Sequence, residues 1–273
     1  MKALSSISLA IALAAVLAAP AHAGAIRNSD LFTNVLPAND DGSTGLVDLG
    51  FTANINGTNF TRTYVNNNGN ITFNNPLGTF TPSAISSGAF GPIIAPFFAD
   101  VDTRAAGSDP VRYGNALLNG QTVFGVNYIN VGVFSRQPIF NSFQMILTSR
   151  NDIATGDFDI QFNYDRIVWE AGTASGAPAG GLGGTSALVG YWTSATSNRT
   201  LAGSLVNGAL IDGGSNALIS NSLNSNVQGR YNFQVRGGTV VPPTNVVPEP
   251  TSLALVGLAL AGLGVASRKK LLS

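Results

Sequence analysis

The chain contains no cysteine, a single histidine and only three lysines among its 273 residues. His22 and Lys2 lie at one extremity and Lys269 and Lys270 at the other, so the stretch from Gly24 to Val247 holds none of the three residue types. Each absence removes a chemistry. Without imidazole or thiol, that stretch builds no Ser-His-Asp or Cys-His nucleophile, no imidazole general base and no His/Cys zinc site. Without lysine it forms no Schiff base and no P-loop. No disulfide can brace it, so its stability must come from a hydrophobic core or from bound ions. Charge is sparse as well: ten arginines face thirteen acids in this stretch, a net charge of −3. The arginines are scattered rather than gathered into a stripe, which argues against nucleic acid as a partner.

The two ends are the most strongly patterned segments. Lys2 supplies a positive n-region, Ile7 to Leu17 an apolar h-region, and Ala21-His22-Ala23 a small-x-small cleavage site, so residues 1–23 read as a helical signal peptide cut after Ala23. At the other end Pro248-Glu249-Pro250 is followed by a charge-free apolar run from Thr251 to Ser267 and then by Arg268-Lys269-Lys270. As a helix the apolar run reaches only about 25 Å, barely the thickness of a bilayer core, which suits temporary residence in the inner membrane. The basic triplet acts as the membrane stop and holds the C-terminus on the cytoplasmic side, leaving everything before Pro248 outside. The expected organisation is a signal peptide (1–23), one β domain (24–238), a proline-containing spacer (239–247) and a sorting signal (248–273) with its transmembrane helix at 251–267. The expected destination is the cell surface or the extracellular space.

The middle of the chain is rich in Gly, Asn, Ser and Thr and shows no sustained helical period. Phe143, Met145 and Leu147 alternate with Ser142, Gln144, Ile146 and Thr148, while Phe158, Ile160, Phe162 and Tyr164 alternate with Asp157, Asp159, Gln161 and Asn163. A period of two is that of a half-buried strand. Further strands are expected at 45–54, 59–65, 70–73, 93–99, 111–113, 122–130, 187–193 and 230–236, separated by Asn-Gly, Gly-Ser and Pro-Leu-Gly turn signals. About ten strands with polar turns predict an all-β domain, an antiparallel β-sandwich or open barrel with Gly/Asn-rich loops. Three loops, 74–91, 171–185 and 206–226, carry little pattern beyond a faint echo of Asn207-Gly-Ala-Leu-Ile in Asn216-Ala-Leu-Ile.

The remaining chemistry belongs to carboxylates. Asp100 and Asp102 stand two apart where an apolar strand runs out, and Asp157 and Asp159 form a second such pair; residues two apart on a strand share a face. Three uses are open to them: calcium through hard oxygen donors, ion pairs with arginines such as Arg104 or Arg112, or capping of turns. Together with Glu170 they also supply the two carboxyl groups that a glycosidase needs. Trp169, Trp192, Tyr128, Tyr164 and Tyr191 are the aromatic candidates for stacking on a sugar or for filling the core. The sequons at Asn56, Asn59, Asn70 and Asn198 read as chance matches in an Asn/Thr-rich chain.

Two resemblances stand beside this reading. Val-Pro-Glu-Pro at 247–250, the short apolar helix and the basic triplet resemble the PEP-CTERM family of bacterial exported proteins. That implies an exosortase, a membrane protease acting near the motif, as processing partner. In the middle, Val65-Asn-Asn-Asn-Gly-Asn-Ile-Thr-Phe73, Ala95-Pro-Phe-Phe-Ala-Asp-Val-Asp-Thr-Arg104, Asn141 to Arg150, Gly156 to Tyr164 and Ile167-Val-Trp-Glu170 resemble the nidogen-like (NIDO) domain. Phe98 departs from it, standing where a tryptophan is expected. This resemblance implies an interaction module of extracellular matrix and cell-surface proteins without catalysis.

The expected function is therefore a non-enzymatic surface or matrix protein, in adhesion or biofilm, contacting extracellular protein or exopolysaccharide; the alternative is a carboxylate-based glycoside hydrolase acting on matrix polysaccharide. Replacing Pro248, Glu249 and Pro250 by alanine is predicted to leave the protein anchored in the membrane, because the apolar helix stays while the processing landmark is lost. Fractionation of cells and medium checks this, and equal release of variant and parent would contradict it.

Overall fold

The computed structural model describes residues 24–242; the signal segment, the sorting motif and the two helices expected beside them lie outside the described residues. Thirteen strands follow in order: β1 (Asn34–Val35), β2 (Val47–Ile55), β3 (Thr58–Asn66), β4 (Asn70–Thr72), β5 (Ile93–Phe98), β6 (Arg112–Leu118), β7 (Gln121–Val133), β8 (Gln137–Ser149), β9 (Phe158–Arg166), β10 (Leu188–Ser194), β11 (Ser197–Thr200), β12 (Arg230–Arg236) and β13 (Thr239–Val240). Every pairing between them is antiparallel. They form a seven-stranded sheet, β1-β6-β7-β8-β9-β12-β13, and a six-stranded sheet, β11-β10-β5-β4-β3-β2. Two separate sheets enclose one shared core, so of the two expected architectures the chain adopts the sandwich. Among the described residues there is no α-helix, and no helix long and apolar enough to cross a membrane.

The inner face of the larger sheet follows directly from the alternation. Cross-strand register lines up Tyr128, Phe143 and Tyr164; Val126, Met145, Phe162 and Tyr231; and Phe124, Leu147, Ile160 and Phe233. These rows meet Leu49, Phe51, Ala53 and Ile55 of β2, Val65 of β3, Ile71 of β4, Ile94 and Phe97 of β5 and Val189 and Tyr191 of β10 in one buried cluster. The rings interlock: Tyr128 stacks on Phe143 with centroids 4.7 Å apart, and Phe97 meets Phe143 at 5.3 Å and Trp169 edge-on at 5.6 Å. Such pairs add about 0.5–1.5 kcal/mol each beyond the area they bury.

The outer face of the larger sheet is covered by the N-terminal segment, which lies across it as a strap. Beneath the strap a row of side chains links four strands: Gln144 donates to Asn127 (2.8 Å), Asn163 to Gln144 (3.0 Å) and Arg230 to Asn163 (3.0 Å). The same row holds the strap's backbone. Arg27 N–H donates to Gln144 Oε1 (3.0 Å), Asn127 Nδ2 to Ser29 O (2.7 Å) and Arg230 Nη2 to Ala25 O (2.7 Å). Phe32 completes the seal over Val123 and Ile146, and any side chain at Gly125 would collide with its ring. Ile146, which breaks the polar half of the β8 alternation, owes its place to this cover.

A second cover lies over the smaller sheet. Every residue of β5 is buried, because Leu77, Ile85 and Phe90 of the 74–91 loop pack on its outer side against Ile93, Ala95, Phe98 and Leu188. Phe98 sits there edge-on to Phe90 at 5.8 Å, a large aromatic in a packing role. The echo in the 206–226 loop also has a physical basis: Leu210 and Leu218 both enter the main core, and their segments bond to each other through Asn216 N to Ala209 O (2.8 Å) and Leu218 N to Leu210 O (3.1 Å).

All ten expected strands are present. Three differences mark what short-range pattern does not carry. β1 and β11 are additional, β6 runs on to Leu118 beyond the expected 111–113, and Thr239–Val240 pair with β12 inside the stretch read as spacer. β1 and β11 are edge strands specified by their neighbours' open hydrogen bonds rather than by an apolar face.

Phe158 is fully buried in the main cluster. Phe158→Ala is predicted to cost about 3–5 kcal/mol in urea unfolding, whereas Leu117→Ala, at a side chain 71% exposed, stays within about 0.5 kcal/mol. A loss below about 1 kcal/mol for Phe158→Ala would contradict the register.

Candidate functional site

The connection from β3 to β4 is a run of asparagines, Asn66-Asn67-Asn68-Gly69-Asn70, and it is buried throughout. Gly69 holds φ at +72°, and a side chain there would collide with the carbonyl of Phe97, so this close turn requires glycine. Each amide is occupied. Asn66 donates to Asn70 (2.7 Å) and Thr72 (3.0 Å), Asn67 to the carbonyls of Asp40 (2.5 Å) and Val101 (2.6 Å), and Asn68 to Asp41 Oδ1 (2.9 Å), while Asn68 Oδ1 accepts from Val101 N–H (2.9 Å). The turn thereby binds two other segments together: the 37–44 loop and the chain leaving β5 at 99–104.

Carboxylates converge at this corner. Asp40, Asp41 and Asp100 each place an oxygen within 4.8 Å of the others. Asp102, fully buried, is held by Arg104 in a two-pronged pair (Nε–Oδ1 and Nη2–Oδ2, both 2.8 Å), and the same guanidinium reaches Asp40 Oδ2 at 2.8 Å. Asp100 is only 1% exposed. Its Oδ2 has no hydrogen-bond partner, and neither has Asp40 Oδ1. Burial, reinforced by Asp40, Asp41 and Asp102, pushes Asp100 up to about 7. Burial likewise pushes Asp40 up to about 6, with Asp102 and Asp41 adding and Arg104 opposing. In both, lost solvation is the larger cause and the neighbouring carboxylates add to it.

The structure separates the four acids that sequence spacing pairs. Asp100 joins a metal-type grouping, with Asp40 and Asp41 rather than with Asp102. Asp157 accepts from Gly237 N–H (2.8 Å) beside Arg236, and Asp159 is gripped by Arg236 (2.6 Å) and Arg150 (2.9 Å), which also binds Asp152 (3.0 Å). Of the three uses open to them, Asp102, Asp157 and Asp159 take ion pairing and turn capping. Asp40 and Asp41 escape a search for alternating carboxylates because they lie in a loop; their one local signal is the turn-rich run Pro37-Ala-Asn-Asp-Asp-Gly-Ser.

Glu170 is also engaged: fully buried, it accepts the backbone N–H groups of Gly208 and Leu210, both at 2.7 Å, and so pins the 206–226 loop. The aromatic candidates are core rather than platform. Trp169, Tyr128, Tyr164 and Tyr191 are buried, and Trp192 packs beside Phe90 on the second cluster. Of the four sequons, the one at Asn70 is buried in the turn just described. Elsewhere a groove of about 820 Å³ opens on the outer face of the larger sheet, walled by Thr148, Gln161 and Asn232 together with Leu223, Val241 and Pro242.

Comparison with known proteins agrees with this architecture. Residues 22–211 match the family described as NIDO related, and residues 246–270 match the PEP-CTERM protein-sorting motif. The first match spans β1 to β11; β12 and β13 lie beyond it. Alpha-tectorin of Mus musculus is 31% identical over 232 residues and that of Homo sapiens 32%, each alignment covering 76% of this chain and 10% of the relative. The alpha-tectorin of Gallus gallus is similar to the same extent, at 31%. The chain thus spans about a tenth of the length of the curated relatives it matches. No solved structure matches. With a match extending over more than half of its length, the chain belongs to the NIDO-related family and carries a PEP-CTERM sorting motif.

Proposed function

We propose that the protein is an exported, non-catalytic surface or matrix module, processed by an exosortase-type protease and serving adhesion or the biofilm and exopolysaccharide matrix through contacts with extracellular protein or polysaccharide. The observation that carries this reading is the union, in one chain, of a NIDO-related domain and a PEP-CTERM sorting motif. The disposition of the acids supports it. Asp102, Asp157 and Asp159 are tied to arginines and Glu170 to backbone amides. A glycosidase instead requires an acid and a second carboxylate free to act on opposite sides of one bond. The groove beside β9 and β12 sets amides and hydroxyls among apolar side chains such as Leu223 and Val241, a mixed lining that suits both the hydroxyls and the C–H faces of a neutral sugar polymer.

Two outcomes are expected of the exported protein. It is retained by the exopolysaccharide or protein fraction of the producing cells' matrix and releases no reducing ends from that polysaccharide or from common glycosides. Turnover abolished by Asp157→Asn with Asp159→Asn, or by Asp100→Asn with Asp102→Asn, in variants that remain folded by circular dichroism, would establish the hydrolase instead. Retention is also expected to be indifferent to reductant and to a zinc-selective chelator, since the domain has no thiol or imidazole to respond. Loss of retention under either treatment would contradict the proposal.

A further inference from the structure

The 37–44 loop and the exit of β5 bring four carboxylates, those of Asp40, Asp41, Asp100 and Asp102, into one corner of the fold with Arg104. Arg104 spends its charge on Asp102 and Asp40. The charged groups acting on Asp100 are all acidic: Asp40, Asp41 and Asp102. Yet Asp100 is almost wholly buried, with Oδ2 unpartnered, and Asp40 presents a second buried, unpartnered oxygen, Oδ1. A charged carboxylate buried without a donor or counter-charge is strongly unfavourable, so the arrangement lacks a positive partner. We propose that Asp40, Asp41 and Asp100 form a calcium site that clamps the 37–44 loop to the end of β5.

The donor chemistry selects the ion. Every side chain in the group offers oxygen, neither thiol nor imidazole occurs in the domain, and hard oxygen donors favour calcium or magnesium over zinc or copper. Two of the carboxylates are on adjacent loop residues and the third comes from a distant segment, an irregular set that calcium tolerates and the octahedral demand of magnesium does not. Asp41 is exposed, which leaves one side open to solvent for the ion's entry and for the waters that complete its shell. At the buried end, Gly172 lies against Asp100, and any side chain there would collide with Oδ2. Behind the ligands stands the asparagine turn: Asn68 orients the Asp41 carboxylate through Oδ1, and Asn67 holds the Asp40 carbonyl. Such supporting bonds are what fix the geometry of a metal site.

The test uses the exported protein, stripped with chelator and titrated with calcium chloride alone. Isothermal titration is expected to show one site with Kd of about 10⁻⁴ to 10⁻³ M, the range of extracellular modules. About 10 mM calcium is expected to raise Tm by roughly 3 to 10 °C, and magnesium by less. Asp157→Asn, in the separate arginine network, keeps the calcium response. Asp100→Asn abolishes it. Should Asp100→Asn fail to fold, Asp41→Asn at the exposed ligand serves, with the calcium Kd expected to rise about tenfold and the metal-free Tm unchanged. The proposal is overturned if the parent shows neither binding heat nor a Tm shift, or if Asp41→Asn and Asp100→Asn both respond to calcium as the parent does. It is overturned equally if Asp100→Asn is as stable as the parent while the parent ignores calcium, because the carboxyl is then simply held protonated.

Discussion

The hydroxyl of Tyr128 is the contact on which the rest of the architecture depends. It leaves the larger sheet, crosses the core and donates to Asn66 O at 2.7 Å, with Asn70 O at 3.2 Å. Those two carbonyls belong to the turn that joins β3 to β4, so one side chain locks the smaller sheet's tightest connection onto the larger sheet. The stack of its ring on Phe143 and the contact of Phe143 with Phe97 then fix the spacing of the sheets. Everything the turn holds, from the Asp40 carbonyl to Val101, is placed by consequence.

The chain solves the absence of cross-links by covering surface. A sandwich of two sheets leaves two outer faces, and each receives its own small apolar cluster beneath a segment with little secondary structure. The polar row beneath the strap is matched: Asn127, Gln144, Asn163 and Arg230 bond both among themselves and to the strap's backbone. Amides suit the task because each is donor and acceptor at once and carries no charge to desolvate. The high asparagine content, which by composition alone resembles loop sequence, is therefore partly interior structure.

How much could be read from the sequence follows the range of the forces involved. β8 and β9 announce themselves because burial of one sheet face imposes a period of two on neighbouring residues. β1 and β11 do not, since an edge strand is recruited by a neighbour's backbone. The covering role of 74–91 is invisible for a related reason: Leu77, Ile85 and Phe90 are scattered in a run of Pro, Ser and Gly, and only the unbroken apolar character of β5 hints that its second face needs a cover. Among the acids, spacing identifies Asp100 and misses its partners, because Asp40 and Asp41 arrive from about sixty positions away. Conversely, the pair at Asp157 and Asp159 looks equivalent in sequence, and its character is decided by Arg150 and Arg236.

The strap also imposes an order of events. Arg230 meets Ala25 across a separation of 205 residues, and Gln144 meets Arg27 across 117. Closing contacts that far apart is entropically costly until the intervening strands are assembled. A polypeptide threaded through a membrane amino end first delivers the strap before any of its seat exists, and delivers β12, the last part of that seat, near the end. Only seven residues separate Val240 from Pro248. The strap therefore has no complete seat until the chain is available almost as far as the sorting motif, and its amino-terminal part alone cannot finish the sandwich.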